Sequence, residues 1–276
     1  MSDTATEAPA VLTEQRGKVL LITLNRPDQM NAINGALSAG LVAAIEQLHA
    51  DSGLSAAVLT GNGRGFCAGM DLKAFLRGEN IAGFFDFVVN GTQKPLIAAI
   101  EGFALAGGLE LALTCDLLVA SKGVKLGIPE AGVGLFAAAG GLLRLPTRVG
   151  YSKAMEMALT ADPITAEEAF QYGMVARLTE PGGAVDAALA LAERIAKNAP
   201  LSIAASKHLV RAALGITEAE FWELQKSHQA QVFTSNDATE GPKAFAEKRP
   251  PDPAELGRLH PTLVDRYLGL ARPAAA

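Results

Sequence analysis

The sequence predicts an α/β protein assembled from strands that end in glycine turns and lead into helices. Three observations carry that expectation. Residues 94–116, KPLIAAIEGFALAGGLELALTCD, join a nearly continuous apolar run over 95–104 to a glycine pair and then to a segment, 109–120, rich in helix formers. A short apolar, partly β-branched run is the pattern of a central strand covered on both faces, and adjacent glycines permit the sharp turn that ends it. Strand, glycine turn and helix formers recur over residues 55–72 and 116–141, although no sequence repeat of fixed period accompanies them. From Leu145 onward the character is helical.

Residues 1–10 carry neither a basic n-region nor an apolar h-region, so they read as a short disordered tail, and the cytoplasm is the expected compartment. VLTEQRGKVLLITLN alternates and then turns strongly apolar across a polar turn at Arg16 and Gly17, the pattern of a hairpin. RPDQMNAIN follows as a loop. Between Ala36 and His49 the apolar Leu37, Leu41, Ala44, Ile45 and Leu48 fall on one side of a helix. SAAVLTGNG is a buried strand ending in a glycine turn, and GRGFCAGMDL is an irregular segment beyond it. Residues 75–93 mix Arg, Gly, Glu and Asn with apolar groups and read as a helix with a mobile loop. After the central strand and its glycines, DLLVASKGVKLGIPEAGVGL makes a third such unit. Ser152 is placed to cap a helix over 153–159, Thr165 and Glu168 have capping-box spacing before a helix stopped by Gly173, and MVARLTE is a short strand. Helices are expected over 183–198, 200–214, 217–235 and 240–248. Their apolar faces exceed what one layer on a sheet needs, which points to a subunit interface. Residues 251–276, framed by Pro and Ala, read as a tail with a short helical piece.

The chain has 276 residues, enough to bury roughly 70 to 75% of its unfolded surface as one large domain or a domain with an appendage. Hydrophobic residues make up 49%, but no eighteen uncharged apolar residues run together, so a membrane span is not expected. With 24 basic and 29 acidic side chains the formal charge is −5, and Lys and Arg are nowhere dense enough for a nucleic-acid groove. An anionic ligand would need a local basic cluster. Cys67 and Cys115 have no neighbouring Cys or His at metal-ligand spacing, and His49, His208, His228 and His260 are scattered. Both thiols are expected reduced and buried, and no metal site is expected.

The chemistry centres on residues 94–116. A helix starting at the glycines offers free N–H groups backed by the positive end of the helix dipole, which attract negative charge, including charge that develops on an oxygen during a reaction. Glu110 lies in the first turn of that helix. By itself an acid there partners the dipole more often than it catalyses. Pro-Glu at 129–130 is, alone, more often a surface turn.

EGFALAGGLELALTCD resembles the signature of the crotonase superfamily, the enoyl-CoA hydratase/isomerase family. LNRPDQMNAIN, GRGFCAGMDLK, GIPEAGVGL, AAGGLLRLP, TADPITAEEAFQYGMV and EGPKAFAEKR extend the resemblance in order over residues 11–249. The resemblance implies a crotonase-like spiral core of ββα units over residues 11–195 and a C-terminal helical region for trimerisation over 196–250, with homotrimers often paired into hexamers. It further implies an acyl-CoA thioester substrate and no separate cofactor, because coenzyme A is part of the substrate.

Residue by residue, the resemblance carries the two backbone N–H groups that hold the thioester oxygen over to Met70 and Gly107. Glu110 and Glu130, twenty residues apart, carry over as the paired glutamates of a hydratase, with Glu110 the base on water and Glu130 the acid at the α-carbon. Substrate and coenzyme A contacts carry over to Arg26, Ala68, Asp71, Leu72, Lys73 and Lys248. Where many hydratases have Pro-Gly-Ala-Gly-Gly, this chain has Ala137, Ala138, Ala139, Gly140 and Gly141, and an aromatic position near the nucleotide is Gln229. The expected activity is hydration of a 2-enoyl-CoA. The alternatives are a carnitinyl-CoA dehydratase-like or enoyl-CoA isomerase activity on the same fold, or a non-catalytic acyl-CoA-binding subunit. A serine hydrolase is disfavoured because no Ser follows the central strand, and a dinucleotide-binding dehydrogenase because ALAGGLE lacks the full glycine pattern.

Overall fold

A computed structural model of the protein describes residues 8–252 and 255–257. The chain divides into two compact units, Met1–Glu193 and Arg194–Ala276.

The first unit opens with β1 (Val11–Arg16) and β2 (Val19–Leu24), an antiparallel hairpin whose turn falls at Gly17 and Lys18, one residue later than expected. A 3-10 turn, Pro27–Gln29, leads to α1 (Gly35–Ala50), whose first turn is capped by the Asn34 side chain accepting from the Leu37 N–H. Leu37, Leu41 and Leu48 on its inner face are fully buried, each contributing roughly 1.5–3 kcal/mol. Then come β3 (Ala56–Gly61), two short helices α2 (Leu72–Leu76) and α3 (Ala82–Asn90) where one helix and a loop were expected, and β4 (Leu96–Ile100).

The expected single strand over 95–104 is in fact two, β4 and β5 (Phe103–Leu105), and they belong to different sheets. Glu101 and Gly102 separate them, Gly102 with φ 64°. A carboxylate within an apolar strand must find partners, and Glu101 finds the Ser121 hydroxyl at 2.5 Å and the N–H groups of Gly182 and Ala184 at 3.1 and 3.0 Å. The next helix, α4 (Gly107–Thr114), is shorter than its helix-forming composition suggested. Residues 117–120 instead form β6 (Leu117–Ser121), which pairs in parallel with β4. A ladder to a distant strand here outweighs local helix propensity.

The chain continues through β7 (Lys125–Gly127), a 3-10 turn Pro129–Val133, α5 (Gly141–Val149), α6 (Tyr151–Thr160), β8 (Ile164–Thr165), α7 (Ala166–Gln171), β9 (Arg177–Thr179) and α8 (Ala184–Ile195). Helical structure thus begins at Gly141, four residues before the expected Leu145. Ser152 does not cap α6: it lies inside the helix, whose N-cap is Gly150 without a side-chain bond. Thr165 and Glu168 do form the expected capping box on α7. The larger sheet has the order β1-β2-β3-β4-β6-β9, parallel from β2 onward, and the smaller one the order β5-β7-β8. Strands β3 and β4 are buried along nearly their whole length, as a sheet covered on both faces requires.

In the second unit α9 (Pro200–Ala212), α10 (Glu218–Phe233) and α11 (Asp237–Ala246) follow one another, α10 starting at a capping box of Thr217 and Glu220. Glu240 on α11 pairs with Arg249 at 2.6 Å, and His208 Nδ1 and His228 Nε2 lie 2.7 Å apart between α9 and α10. Val210, Leu214, Trp222, Phe233 and Phe245 are exposed. The helical piece expected within residues 251–276 lies almost wholly outside the described residues, as does His260. Among the described residues no helix is long and apolar enough to cross a membrane, and no group of three or more His, Cys, Asp or Glu could hold a metal ion.

Candidate active site

Two loop segments meet beyond the ends of β3 and β5. The 66–71 segment zips onto β5 through Phe66 N–H to Phe103 O (2.9 Å) and Leu105 N–H to Cys67 O (3.0 Å). On its other edge Ile33 N–H reaches Gly69 O (2.8 Å) and Asp71 N–H reaches Ile33 O (2.9 Å). This alternation engages the amides on either side of Met70 and leaves the Met70 N–H out of the ladder. The turn into α4 fits against the same segment only because Gly108 is bare: a Cβ there would stand 2.2 Å from Cys67 O. Ala106, just before it, is held at φ 51°, a conformation that costs an L-residue roughly 1–3 kcal/mol. As the first residue of α4, Gly107 has no intrahelical acceptor for its N–H. The Met70 nitrogen lies 3.7 Å from where a Cβ on Gly107 would be, so the two amides are neighbours. Among the described residues neither donates to a backbone acceptor.

These amides sit on the wall of a cavity of about 270 Å³, which also takes in Ala68, Leu72, Glu110 and Glu130. Six of the ten residues singled out from the sequence therefore converge on one space. The remainder of its lining is apolar, with Phe84 and Phe85 of α3 in edge-to-face contact at 5.6 Å.

Glu110 is 3% exposed, and its Oε1 accepts hydrogen bonds from Ala139 N–H at 2.6 Å and Gly141 N–H at 2.9 Å. Burial raises its pKa above the usual carboxylate value, while the Gly141 and Ala139 amides and the charge of Arg144 pull against that rise. Glu130, half-buried in the 3-10 turn after β7, is pushed up to about 7, first by burial and further by the charge of Glu110, against a lowering by its own backbone N–H. Its Oε2 is buried with no hydrogen-bond partner among the described residues. Two carboxyls on one cavity thus sit in different surroundings: burial raises both, Glu130 has a buried oxygen without a donor among the described residues, and Glu110 has the amide donors that favour an anion.

Of the other four, Arg26 and Asp71 are absent from the lining and engage each other, at 3.2 Å with both side chains about one-sixth exposed. Arg26 also donates to Ala32 O, and Asp71 accepts from the Lys73 and Ala74 N–H groups at the start of α2. Burial would raise the Asp71 carboxyl, but the Ala74 N–H and Arg26 outweigh it and hold the group below its usual value. Together they tie the 26–34 loop to the segment carrying Met70. Lys73 is exposed on α2, outside the lining. Lys248 is exposed in the second unit, with φ 53°.

Ala139, Gly141 and Arg144 were not among the expected site residues; all three lie in the AAGGLLRLP match, and the first two also in the Ala137 to Gly141 departure. In the structure Ala138 does line the cavity, whereas the two donors to Glu110 are backbone groups at the Ala-Gly-Gly positions where the family pattern is retained.

The family model described as Enoyl-CoA hydratase/isomerase matches residues 14–255. "Enoyl-CoA hydratase EchA19" of Mycobacterium tuberculosis is 37% identical over 260 residues, covering 90% of this chain and 98% of the relative. "Carnitinyl-CoA dehydratase" of Proteus mirabilis is 39% identical, over 86% and 95% of the two chains. Among solved structures, an enoyl-CoA hydratase from Mycobacterium tuberculosis superimposes with a TM-score of 0.85 at 52% identity, covering 88% of this chain and 98% of that one. With the family match spanning most of the chain and the fold shared, this protein belongs to the enoyl-CoA hydratase/isomerase family of the crotonase superfamily.

Proposed function

We propose that this protein is an enoyl-CoA hydratase that adds water reversibly across the 2,3 double bond of a 2-enoyl-CoA thioester. One observation carries the proposal: two glutamates with different proton affinities line the same cavity as the adjacent amides of Met70 and Gly107.

In this reading the thioester oxygen is held by the Met70 and Gly107 N–H groups. Glu110 takes a proton from water as its oxygen bonds to C3, and the electron pair of the double bond moves toward the thioester as an enolate. The two amides stabilise that developing anion by about 3 kcal/mol each. Glu130 then delivers its proton to C2, and exchange with solvent moves the proton from Glu110 back to Glu130 before the next turnover. The sum is one water added with no change of redox state, so the chemistry calls for no cofactor beyond the coenzyme A of the substrate. Ala68 and Leu72 wall the acyl group, Lys73 is assigned to the coenzyme A phosphates, and Lys248 to those of an adjacent subunit's substrate. Arg26 and Asp71 are assigned to holding the Met70 loop. A homotrimer, or a dimer of trimers, is the proposed assembly; the exposed apolar side chains of the second unit support it. The proposed compartment is the cytoplasm, where the two buried free thiols would stay reduced.

The test is the ultraviolet absorbance of crotonyl-CoA and longer 2-enoyl-CoA thioesters, which falls as the conjugated bond is hydrated. Failure to turn over any chain length would defeat the proposal. The carnitinyl-CoA dehydratase relative supports a second reading, in which the same pair acts on a decorated acyl group. Product analysis with crotonobetainyl-CoA separates it from the first, and isomerisation would show as a displaced double bond. A non-catalytic acyl-CoA-binding subunit would bind the thioester tightly in calorimetry without turnover.

A further inference from the structure

We infer that Arg144 is the positioning residue of the base, its guanidinium holding the 139–141 turn in the shape that presents two N–H groups to Glu110. The inference rests on the reading of Glu110 as the base.

Arg144 lies in the first turn of α5, and its backbone N–H bonds to Gly140 O at 3.0 Å. Its side chain folds back: Nη1 donates to Ala139 O at 3.3 Å, and Nη2 donates to Val88 O in the last turn of α3. Ala139 is therefore gripped from both sides, its N–H by Glu110 Oε1 and its carbonyl by Arg144. Gly140 makes this arrangement possible. It holds φ 93°, and a Cβ there would stand 2.2 Å from Arg144 Nη1, so the guanidinium lies where any other residue would place a side chain. The forked donor spans two carbonyls on different elements, a task suited to a planar guanidinium and not to an ammonium. Because α3 also contributes Phe84 and Phe85 to the cavity, one side chain ties the acyl wall to the seat of the base.

The charged groups around Glu110 are few. Arg144 faces it from α5 and Glu130 from the 129–133 turn. Strands β5 and β6 carry no ionisable side chain, α4 carries none besides Glu110, and Asp86, the one charge on α3, is exposed. The cation of Arg144 opposes the rise that burial causes, after the Gly141 and Ala139 amides.

The experiment follows the Glu110 carboxyl itself, by carbon-13 NMR titration of glutamate-labelled protein, with the signal assigned by its loss in Glu110→Gln. In Arg144→Met the Glu110 midpoint should rise by about one pH unit. The acid limb of the hydration profile should move with it, kcat should fall about 10- to 100-fold, and KM should change less than about threefold. Arg144→Lys should leave the midpoint raised and kcat lowered, because it returns the charge without the fork that shapes the turn. Arg148, one turn further along α5, donates to Cys115 O and Asp116 O at 3.3 and 3.4 Å and serves as the structural control. Arg148→Lys should lower the melting temperature and leave the Glu110 titration in place. An unchanged Glu110 midpoint in folded Arg144→Met overturns the inference, as does an equal shift in Arg148→Lys. If Arg144→Met does not fold, wild-type kcat in Arg144→Lys overturns it. Full turnover in Glu110→Gln would instead sink the base assignment, while the titration would still report on Arg144.

Discussion

Glu110 and Glu130 look into the same cavity, but the chain treats them differently. Glu110 is on a helix, almost fully buried, with one oxygen held by two amides from a turn 29 to 31 residues further on. Glu130 is on a short 3-10 turn, half-buried, with a buried oxygen that has no partner among the described residues. Donors lower the cost of an anion and burial without donors raises it, so the same side chain becomes a better base at one position and a better acid at the other. The difference between the two glutamates lies in their surroundings, not in their residue type, and the proposed division of labour rests on it.

The largest effect should come from removing either partner. Glu110→Gln and Glu130→Gln are each expected to lower kcat for crotonyl-CoA hydration by about 10²- to 10⁴-fold with little change in KM. Glutamine keeps an oxygen for the Ala139 and Gly141 amides, so the fold should survive. Near-wild-type rates in either variant would dissolve the pairing.

Next is pH. In the proposed mechanism Glu130 must hold a proton to donate it, and burial pushes its pKa up to about 7. Hydration kcat/KM should therefore fall about tenfold per pH unit above that value, whereas dehydration of the 3-hydroxyacyl-CoA, which needs the ionised form, should lose its rate below it. A profile for Glu130→Gln that still bends near pH 7 would assign the limb to another group.

A smaller effect should separate the two surroundings directly. A Cβ added at Gly141 would stand 3.1 Å from Glu110 Cγ and Oε1, so Gly141→Ala must displace the base by a few tenths of an ångström and should cost about tenfold in kcat. At Gly132, two residues from Glu130, the added Cβ meets only Ala161 at an ordinary 3.8 Å, and Gly132→Ala should change kcat less than about twofold. Equal losses at both glycines would erase the contrast.

The smallest effect is on stability. A carboxyl whose folded pKa is raised stabilises fully below its unfolded value of 4.5 and loses that contribution as pH climbs through about 7. Glu130→Gln should hence melt above wild type at pH 8 and level with it near pH 4. Glu110→Gln should gain less, since it gives up two hydrogen bonds to an anion.

Much of this architecture was legible because it rests on local chemistry. The inner face of α1 follows from the spacing of Leu37, Leu41 and Leu48, and the start of α7 from the Thr165 and Glu168 pair. The glycines at 107 and 108 marked the turn, and the acid three residues on marked the candidate site. What escaped had no local signature. The break at Glu101 and Gly102 depends on partners from Ser121 and the start of α8, and β6 is a strand because β4 and β9 flank it. The two donors to Glu110 escaped for a further reason: they are backbone amides, and every residue except proline has one.

The amino-acid sequence by itself determined which segments could be strands or helices and where the chain could turn sharply, because propensity, patterning and glycine geometry act over a few residues, while the pairing of Glu110 with Glu130 came from the family resemblance. Only the tertiary structure decided what surrounds each carboxyl: two amide donors at Glu110, and a buried oxygen with no partner among the described residues at Glu130. Proton affinity depends on burial and on donors brought from distant parts of the chain, and neither exists until the chain has closed around them.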